Sequence, residues 1–170
     1  MTTIDLSFQR LTEIPEWLKD RDDVIELDLS FNSIDEIKNL PPNLQILDIT
    51  NNNIGEIKNL PKTIKIVDLS QNNITKIQNL PPNLQELFLN NNNITEIKNL
   101  PVNLQKLYLC YNYITEIKNL SKTLEIFQIT HNNITKIQNI PYNVKELLIY
   151  NNKITEIENL PIHLKKLYLC

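Results

Sequence analysis

Two cysteines and two histidines are the side chains in this sequence best suited to nucleophilic or metal chemistry. Cys110, Cys170, His131 and His163 are scattered singly along the chain. A Cys–His nucleophile needs an imidazole within hydrogen-bond reach and a third group that orients it, and no carboxylate is placed beside His131. Neither a His-Glu-x-x-His segment nor a paired-cysteine spacing occurs. The sequence therefore predicts no enzyme, no metal site and no cofactor.

The elements that position these residues follow from a repeat of 20 residues that runs from Val24 to the end of the chain. Such a period is typical of a stacked array, in which each unit buries its apolar face against its neighbours. The Leu-x-Leu part of each unit alternates with period two, which predicts a strand with one buried face. The unit that starts at Leu84 shows the apolar pattern, namely Leu84, Leu87, Leu89, Ile94, Ile97 and Leu100.

The return path behind each strand is too short and too rich in proline for a regular helix. We therefore expect an α/β-type repeat solenoid that is strand-rich with little helix. It should be a right-handed superhelix with one parallel concave sheet and an extended or 3₁₀ convex side. We divide this single domain, residues 1–170, into an irregular first repeat at 1–23, seven regular repeats over 24–163 and a partial repeat at 164–170.

Two columns of asparagine recur with the same period. Buried amides must be hydrogen-bonded, and the backbone of the adjacent units offers the partners. Both columns are therefore predicted to be structural ladders and not catalytic residues. The column behind the strands is Asn32, Asn52, Asn72, Asn92, Asn112, Asn132 and Asn152, and the column on the back is Asn39, Asn59, Asn79, Asn99, Asn119, Asn139 and Asn159.

The segment from Leu80-Pro81 to Ile94-Thr95 resembles the leucine-rich repeat in its short bacterial-effector form. Effectors of the YopM and IpaH types use similar units, with a Leu-Pro-x-x-Leu start and an Asn-x-Leu/Ile-Thr turn. Leucine-rich repeat proteins of giant DNA viruses are also rich in asparagine and isoleucine. The resemblance covers almost the whole chain and implies the fold, but it implies no activity. IpaH-type proteins carry a separate ubiquitin-ligase domain, for which the repeats here leave no room.

The residues that point out of the strands vary along the chain, and they divide it into two halves. In the later half they are largely aromatic or apolar, and such side chains are the types that anchor protein interfaces. We predict that this aromatic surface binds a protein partner on the concave face, and the alternative is surface packing without a partner. Its members are Phe88, Tyr108, Tyr111, Tyr113, His131, Leu148, Tyr150 and Tyr168.

In the earlier half the same column forms an acidic stripe, which consists of Asp5, Asp28, Asp48 and Asp68. It is either a solvated row of carboxylates or an electrostatic site for a basic peptide or a cation. Like charges on adjacent strands should raise some of the pKa values. A tight calcium site is disfavoured, because a linear stripe does not bring six to eight oxygens to one point.

The charge pattern also bears on other classes of partner. The formal net charge is −3, and the acidic stripe would repel a phosphate backbone, so we expect no nucleic-acid partner. No apolar run approaches the roughly 18–20 residues of a membrane span, so we expect no membrane partner. The start of the sequence lacks the basic and apolar regions of a signal peptide. We therefore expect a cytoplasmic protein, either in its own cell or after delivery into a host cell.

The last residues form a predicted strand without a complete unit behind it. Leu164, Leu167, Leu169 and Cys170 belong to this strand. Unpaired strand edges invite association, so we predict a homodimer edge here.

The leading function is a non-enzymatic protein–protein interaction module. The alternatives are a self-associating structural protein that dimerises through this edge, or the recognition part of a ubiquitin-ligase-type effector.

Overall fold

The computed structural model describes residues 2–169 of the chain. Its one helical element within that range is a 3₁₀ helix at Glu16–Asp20, which is too short to cross a membrane. The remaining elements are short strands: β1 (Thr2–Asp5), β2 (Val24–Asp28), β3 (Ile46–Asp48), β4 (Ile66–Asp68), β5 (Glu86–Phe88), β6 (Lys106–Tyr108), β7 (Ile126–Gln128), β8 (Lys136–Ile137), β9 (Glu146–Leu148), β10 (Glu156–Ile157) and β11 (Lys166–Tyr168).

Nine of these strands form one parallel sheet in the order β1-β2-β3-β4-β5-β6-β7-β9-β11. Each strand pairs with its counterpart one repeat away, so that Leu87 faces Leu107 across β5 and β6. On the back of the repeats, β8 and β10 form a separate two-stranded parallel sheet. The order in space thus follows the order in sequence. This is the stacked, strand-rich solenoid that the repeat predicts, and each repeat is one coil of it.

The core runs through the middle of the solenoid. In the coil that contains β5, Leu84, Leu87 and Ile94 are fully buried, and equivalent leucines and isoleucines fill the other coils. The alternation of the strand leaves Glu86 and Phe88 on the outer side of the sheet, where they are only partly covered. The periodic apolar pattern therefore fixes which side chains remain free to face a partner.

Each convex side ends with a tight turn just before the next strand. The Leu84 N–H donates to the Pro81 carbonyl at 3.2 Å, and the same bond recurs at the corresponding position of the neighbouring coils. Between the end of one strand and this turn no helix forms in the described coils after the first. The proline at the end of most convex segments lacks the N–H that a helix would need and so disfavours a helix there.

The first asparagine column ties each coil to the one before it. The Asn112 Oδ1 accepts from the Ile94 N–H at 2.9 Å, and its Nδ2 donates to the Leu89 carbonyl at 2.9 Å. The same amide also donates to the Leu109 carbonyl of its own coil at 3.2 Å. Asn112 is 5% exposed, so these backbone groups have little access to water. The predicted ladder is confirmed along the column, from Asn32 to Asn152.

The second asparagine column combines a bond with a backbone requirement. The Asn59 Nδ2 donates to the Ile37 carbonyl at 2.9 Å, and the column continues on the back of the coils. Its members have φ between 48° and 56°, a left-handed conformation that asparagine tolerates better than most residues. Asparagine thus does here what glycine often does in other turns.

A second left-handed position follows each strand on the concave side. Asn51 and Asn91 occupy it with φ of 54°, as expected for asparagine. In other coils the same position carries an aromatic residue, including Phe31 and Tyr111. Bulky side chains rarely adopt this backbone conformation. The preference of the local backbone therefore does not account for the aromatic residues at this position.

Candidate binding surface

The acidic stripe lies on the concave face and has a structural role that the sequence alone does not reveal. The Asp48 Oδ1 accepts from the Thr50 N–H at 2.8 Å, which closes a turn at the end of the strand. Asp5, Asp28 and Asp68 make the same bond to the residue two positions on. The register places these carboxylates in direct sequence across neighbouring strands, which lie roughly 4.8 Å apart.

Burial and hydrogen bonds shift the pKa values of two aspartates in the acidic stripe. Burial raises the pKa of Asp48, and the charges of Asp68 and Asp28 add a smaller increase. Hydrogen bonds from Ser7 lower the pKa of Asp5. A raised pKa was expected from repulsion between like charges. It occurs at Asp48, but desolvation is its largest cause.

The acidic stripe ends at Asp68, because in the following coils other side chains accept from the N–H groups of the turn. In the next two coils the N–H groups equivalent to that of Thr50 no longer bind an aspartate. The Asn90 N–H donates to the Ser70 Oγ at 3.2 Å, and the Cys110 N–H donates to the Asn90 Oδ1 at 2.9 Å. The strand position is thereby released from its role in the turn and carries Phe88 and Tyr108 instead.

The predicted aromatic surface separates into two groups, of which the first lies on the strands. Phe88 and Tyr108 stack with ring centroids 4.3 Å apart and planes inclined by 2°. Burial of the Tyr108 hydroxyl raises its pKa. Leu148 and Tyr168 pair in the same column further along, but Gln128 separates them from the stacked pair. The column is therefore not one continuous apolar stripe.

The second group lies at the rim of the sheet, where the strands end. Tyr111 and His131 stack with centroids 3.9 Å apart, and Tyr150 meets the His131 ring edge-on at 5.6 Å. The Asn151 Nδ2 lies 2.7 Å from the His131 Nε2. Tyr111 is 51% exposed, so one flank of this cluster is open to solvent.

A groove of about 480 Å³ adjoins the rim cluster. Tyr111, Tyr113 and His131 line it together with asparagines of the neighbouring coils, including Asn73 and Asn93. The structure thus brings together three residues that the sequence places on the aromatic surface. Within residues 2–169 no group of three or more His, Cys, Asp or Glu side chains is arranged to hold a metal ion.

A further aromatic pair was not predicted. Phe8 and Phe31 stack with centroids 4.4 Å apart and planes inclined by 7°, and they are 67% and 44% exposed. Both have the left-handed backbone of the rim position. The irregular length of the first repeat hid their alignment. The signal was the tetrapeptide Asp-Leu-Ser-Phe, which occurs at Asp5–Phe8 and again at Asp28–Phe31.

The predicted dimer edge is only partly covered. Leu164, Leu167 and Leu169 pack against the core while retaining some exposure. Cys170, the fourth predicted member, lies outside the described residues. Self-association through this edge stays a prediction.

Comparisons with known proteins agree with this architecture. A model of leucine-rich repeats in two copies matches residues 82–122, and a single leucine-rich repeat model matches residues 41–56. No curated protein sequence matches the chain. Among solved structures, YopM from Yersinia pestis superposes with a TM-score of 0.82 at 27% identity, over 94% of this chain and 45% of that one.

Two further solved structures show the same arrangement. YopM from Yersinia enterocolitica WA-314 has a TM-score of 0.76 at 26% identity, over 92% of this chain and 38% of that one. The FLRT2 leucine-rich repeat structure, solved in a complex with latrophilin 3 and Unc5D, has a TM-score of 0.77 at 23% identity, over 95% of this chain and 64% of that one. The chain spans less than half the length of either YopM chain.

The fold and its concave surface define a leucine-rich repeat solenoid. The chain contains leucine-rich repeats, and its coils resemble those of YopM-type effectors. This class is generally a non-enzymatic scaffold for protein interactions. The residues that vary on the concave face are therefore the candidates for binding.

Replacement of Asp48 by asparagine tests the cause of its raised pKa. Asparagine keeps an acceptor for the Thr50 N–H but removes the partly buried charge. Because the folded-state pKa lies above the usual 3.8, the folded protein holds this proton more tightly than the unfolded chain does. The stability from Asp48 is therefore complete below the unfolded pKa and is lost as pH rises through the folded pKa.

We therefore expect Asp48→Asn to melt about 1–3 °C above the unaltered protein at neutral pH. The difference should disappear near pH 3, where the carboxyl is protonated in both states. Thermal melts across this pH range measure it, and Glu56→Gln on the exposed convex side is the control for loss of a charge alone. A destabilised Asp48→Asn protein at neutral pH, or a difference that is independent of pH, would contradict desolvation as the cause.

Proposed function

We propose that the chain binds a protein partner through the aromatic surface of its concave face. The observation that carries the proposal is the aromatic cluster at Tyr111 and His131, which lies open at the rim of a regular parallel sheet. Aromatic anchors of this kind lose little conformational entropy on binding and supply large contact areas. The stacked pair Phe88 and Tyr108 extends the surface onto the strands.

The backbone at the rim supports a role in binding. Tyr111 and His131 have φ of 58° and 54°, in the left-handed region where Asn91 and Asn151 lie in adjacent coils. A left-handed backbone costs a bulky residue roughly 1–2 kcal/mol relative to its preferred conformation. Asparagine would relieve this strain, and Asn51, Asn91 and Asn151 occupy equivalent positions. The stability of the coil therefore does not account for aromatic residues at this position.

The competing interpretation is surface packing without a partner. The ring stacks cover part of the sheet, and this contact alone would stabilise neighbouring coils. The two interpretations predict different results when the rings are removed. Packing predicts a loss of stability, whereas partner binding predicts a loss of affinity with the fold intact.

The solenoid itself supplies residues for this test. Gln128 occupies the strand position of Tyr108 in the next coil, and Asn91 occupies the rim position of Tyr111 in the preceding one. The double variant Tyr108→Gln with Tyr111→Asn should thus keep the backbone unchanged. We expect its melting temperature to stay within about 4 °C of the unaltered protein, while capture of specific partners falls at least tenfold. Immobilised protein, a cell lysate and quantitative mass spectrometry give this measurement.

The matched control is Tyr142→Asn, which removes a tyrosine that is 67% exposed and lies away from the strands and the rim position. It should leave partner capture unchanged. A sharp drop in melting temperature of the double variant would show that the rings are structural. Equal capture by the double variant and the control would also overturn the proposal.

We retain self-association as a second proposal, supported by the partial exposure of Leu164, Leu167 and Leu169 at β11. It predicts a dimer mass in light scattering at high micromolar concentration, and Leu167→Lys should return it to a monomer. A monomer mass for the unaltered protein at that concentration would exclude it.

A role as the recognition part of a ubiquitin-ligase-type effector and a cytoplasmic site of action rest only on the resemblance and the sequence, and they stay predictions.

A further inference from the structure

The earlier half of the concave face forms a groove that differs from the aromatic surface. It has a volume of about 380 Å³. The carboxylates of the acidic stripe run along it, and Ile46 and Ile66 form a partly exposed apolar row beside them. Phe88 closes the end towards the later coils. We call this surface the N-terminal groove.

The negative charge of the groove exceeds what the fold needs. The turn at the end of each strand requires an acceptor for one N–H group, which Asp28, Asp48 and Asp68 each supply with Oδ1 alone. An amide oxygen would satisfy the same N–H, as the Asn90 Oδ1 does for the Cys110 N–H. The chain nevertheless places carboxylates in four successive coils, where their mutual repulsion is unfavourable.

Within residues 2–169 the groove also has no counter-charge. Elsewhere on the sheet a lysine one coil further along neutralises the acid, as Lys106 does for Glu86 at 2.9 Å and Lys166 for Glu146 at 2.7 Å. None of the ion pairs formed within residues 2–169 involves a carboxylate of the acidic stripe. Among the described residues, no lysine or arginine lines the groove either.

We propose that the N-terminal groove binds an extended, basic segment of a protein, in which lysine or arginine is interspersed with apolar residues. The carboxylates would pair with the cations, while Ile46 and Ile66 would cover the apolar side chains. From Asp5 to Asp68 the stripe spans three strand spacings, or about 14 Å, which corresponds to roughly four or five extended residues. The exposed stack of Phe8 and Phe31 at the rim suits a further cationic side chain.

The choice of a peptide follows from the shape of the charge distribution. The carboxylates are spread along a line beside an apolar row, which favours several separate cations on one chain over one ion. The attraction should weaken as ionic strength rises, because groups on an open face are screened by salt. The groove shares only Phe88 with the aromatic surface, and the carboxylates that carry this proposal are not part of that surface, so the two proposals can fail independently.

A phage library of random nine-residue peptides, selected against the full chain in 150 mM salt, tests the proposal. Lysine and arginine should be enriched among the selected peptides, with apolar residues between them. Synthetic copies should then bind the triple variant Asp28→Asn, Asp48→Asn, Asp68→Asn at least tenfold more weakly. Because asparagine keeps the turn acceptors, this variant should melt at or above the temperature of the unaltered protein.

Two control variants show whether the peptides bind in the groove or elsewhere on the chain. The variant Glu56→Gln, Glu96→Gln, Glu116→Gln removes the same number of charges from the convex side and should leave peptide affinity unchanged. Tyr111→Asn should also leave it unchanged, since that ring lies at the rim of a later coil. Selected peptides without an excess of basic residues would overturn the proposal. Affinity for the triple aspartate variant within twofold of the original would overturn it as well.

Discussion

The hydrogen bonds of the asparagine ladder are the interaction on which the rest of the solenoid depends. Apolar packing favours burial of the leucines and isoleucines, but it is not directional and leaves the offset between coils loosely defined. Each ladder amide instead joins a fixed N–H and a fixed carbonyl of the preceding coil to its own coil, as Asn112 does for Ile94 and Leu89. Together with the backbone hydrogen bonds of the parallel sheet, the ladder sets the register of the coils and, with it, the alignment of the columns on the concave face.

A fixed register leaves the concave face free to vary. The core leucines and the ladder do not involve the outward side chains, so those side chains change without disturbing the stack. One outward side chain does have a structural role, since Asp48 accepts from the Thr50 N–H and closes the turn after the strand. In later coils the equivalent N–H groups bind Ser70 and Asn90 of the preceding coil instead. The same backbone therefore carries two different surfaces, the N-terminal groove and the aromatic surface.

The repeat alone predicted the solenoid, the buried residues and both asparagine columns, because each of these depends on a pattern that recurs with the coil. The contacts between side chains on the concave face depend on three-dimensional geometry, which the alignment of equivalent positions in the repeats does not show. The turn role of Asp48 appears only when its carboxylate is placed next to the Thr50 N–H. The stacking of Phe8 and Phe31 was not predicted, because the first repeat is longer than the others and its residues do not align with theirs at a spacing of 20. The identity of a partner is a property of these variable residues, not of the fold.

The most direct test of the ladder is the free energy of unfolding of Asn112→Ala, measured in urea beside the control Asn93→Ala. Loss of the Asn112 amide leaves the buried Ile94 N–H without its acceptor, which costs about 1–3 kcal/mol. It also removes one of the two amide donors to each of the Leu89 and Leu109 carbonyls. We expect Asn112→Ala to lose about 2 kcal/mol or more, and Asn93→Ala, at an exposed position, to change stability by less than about 0.5 kcal/mol. Equal, small losses for the two variants would contradict the view that the ladder holds the coils in register.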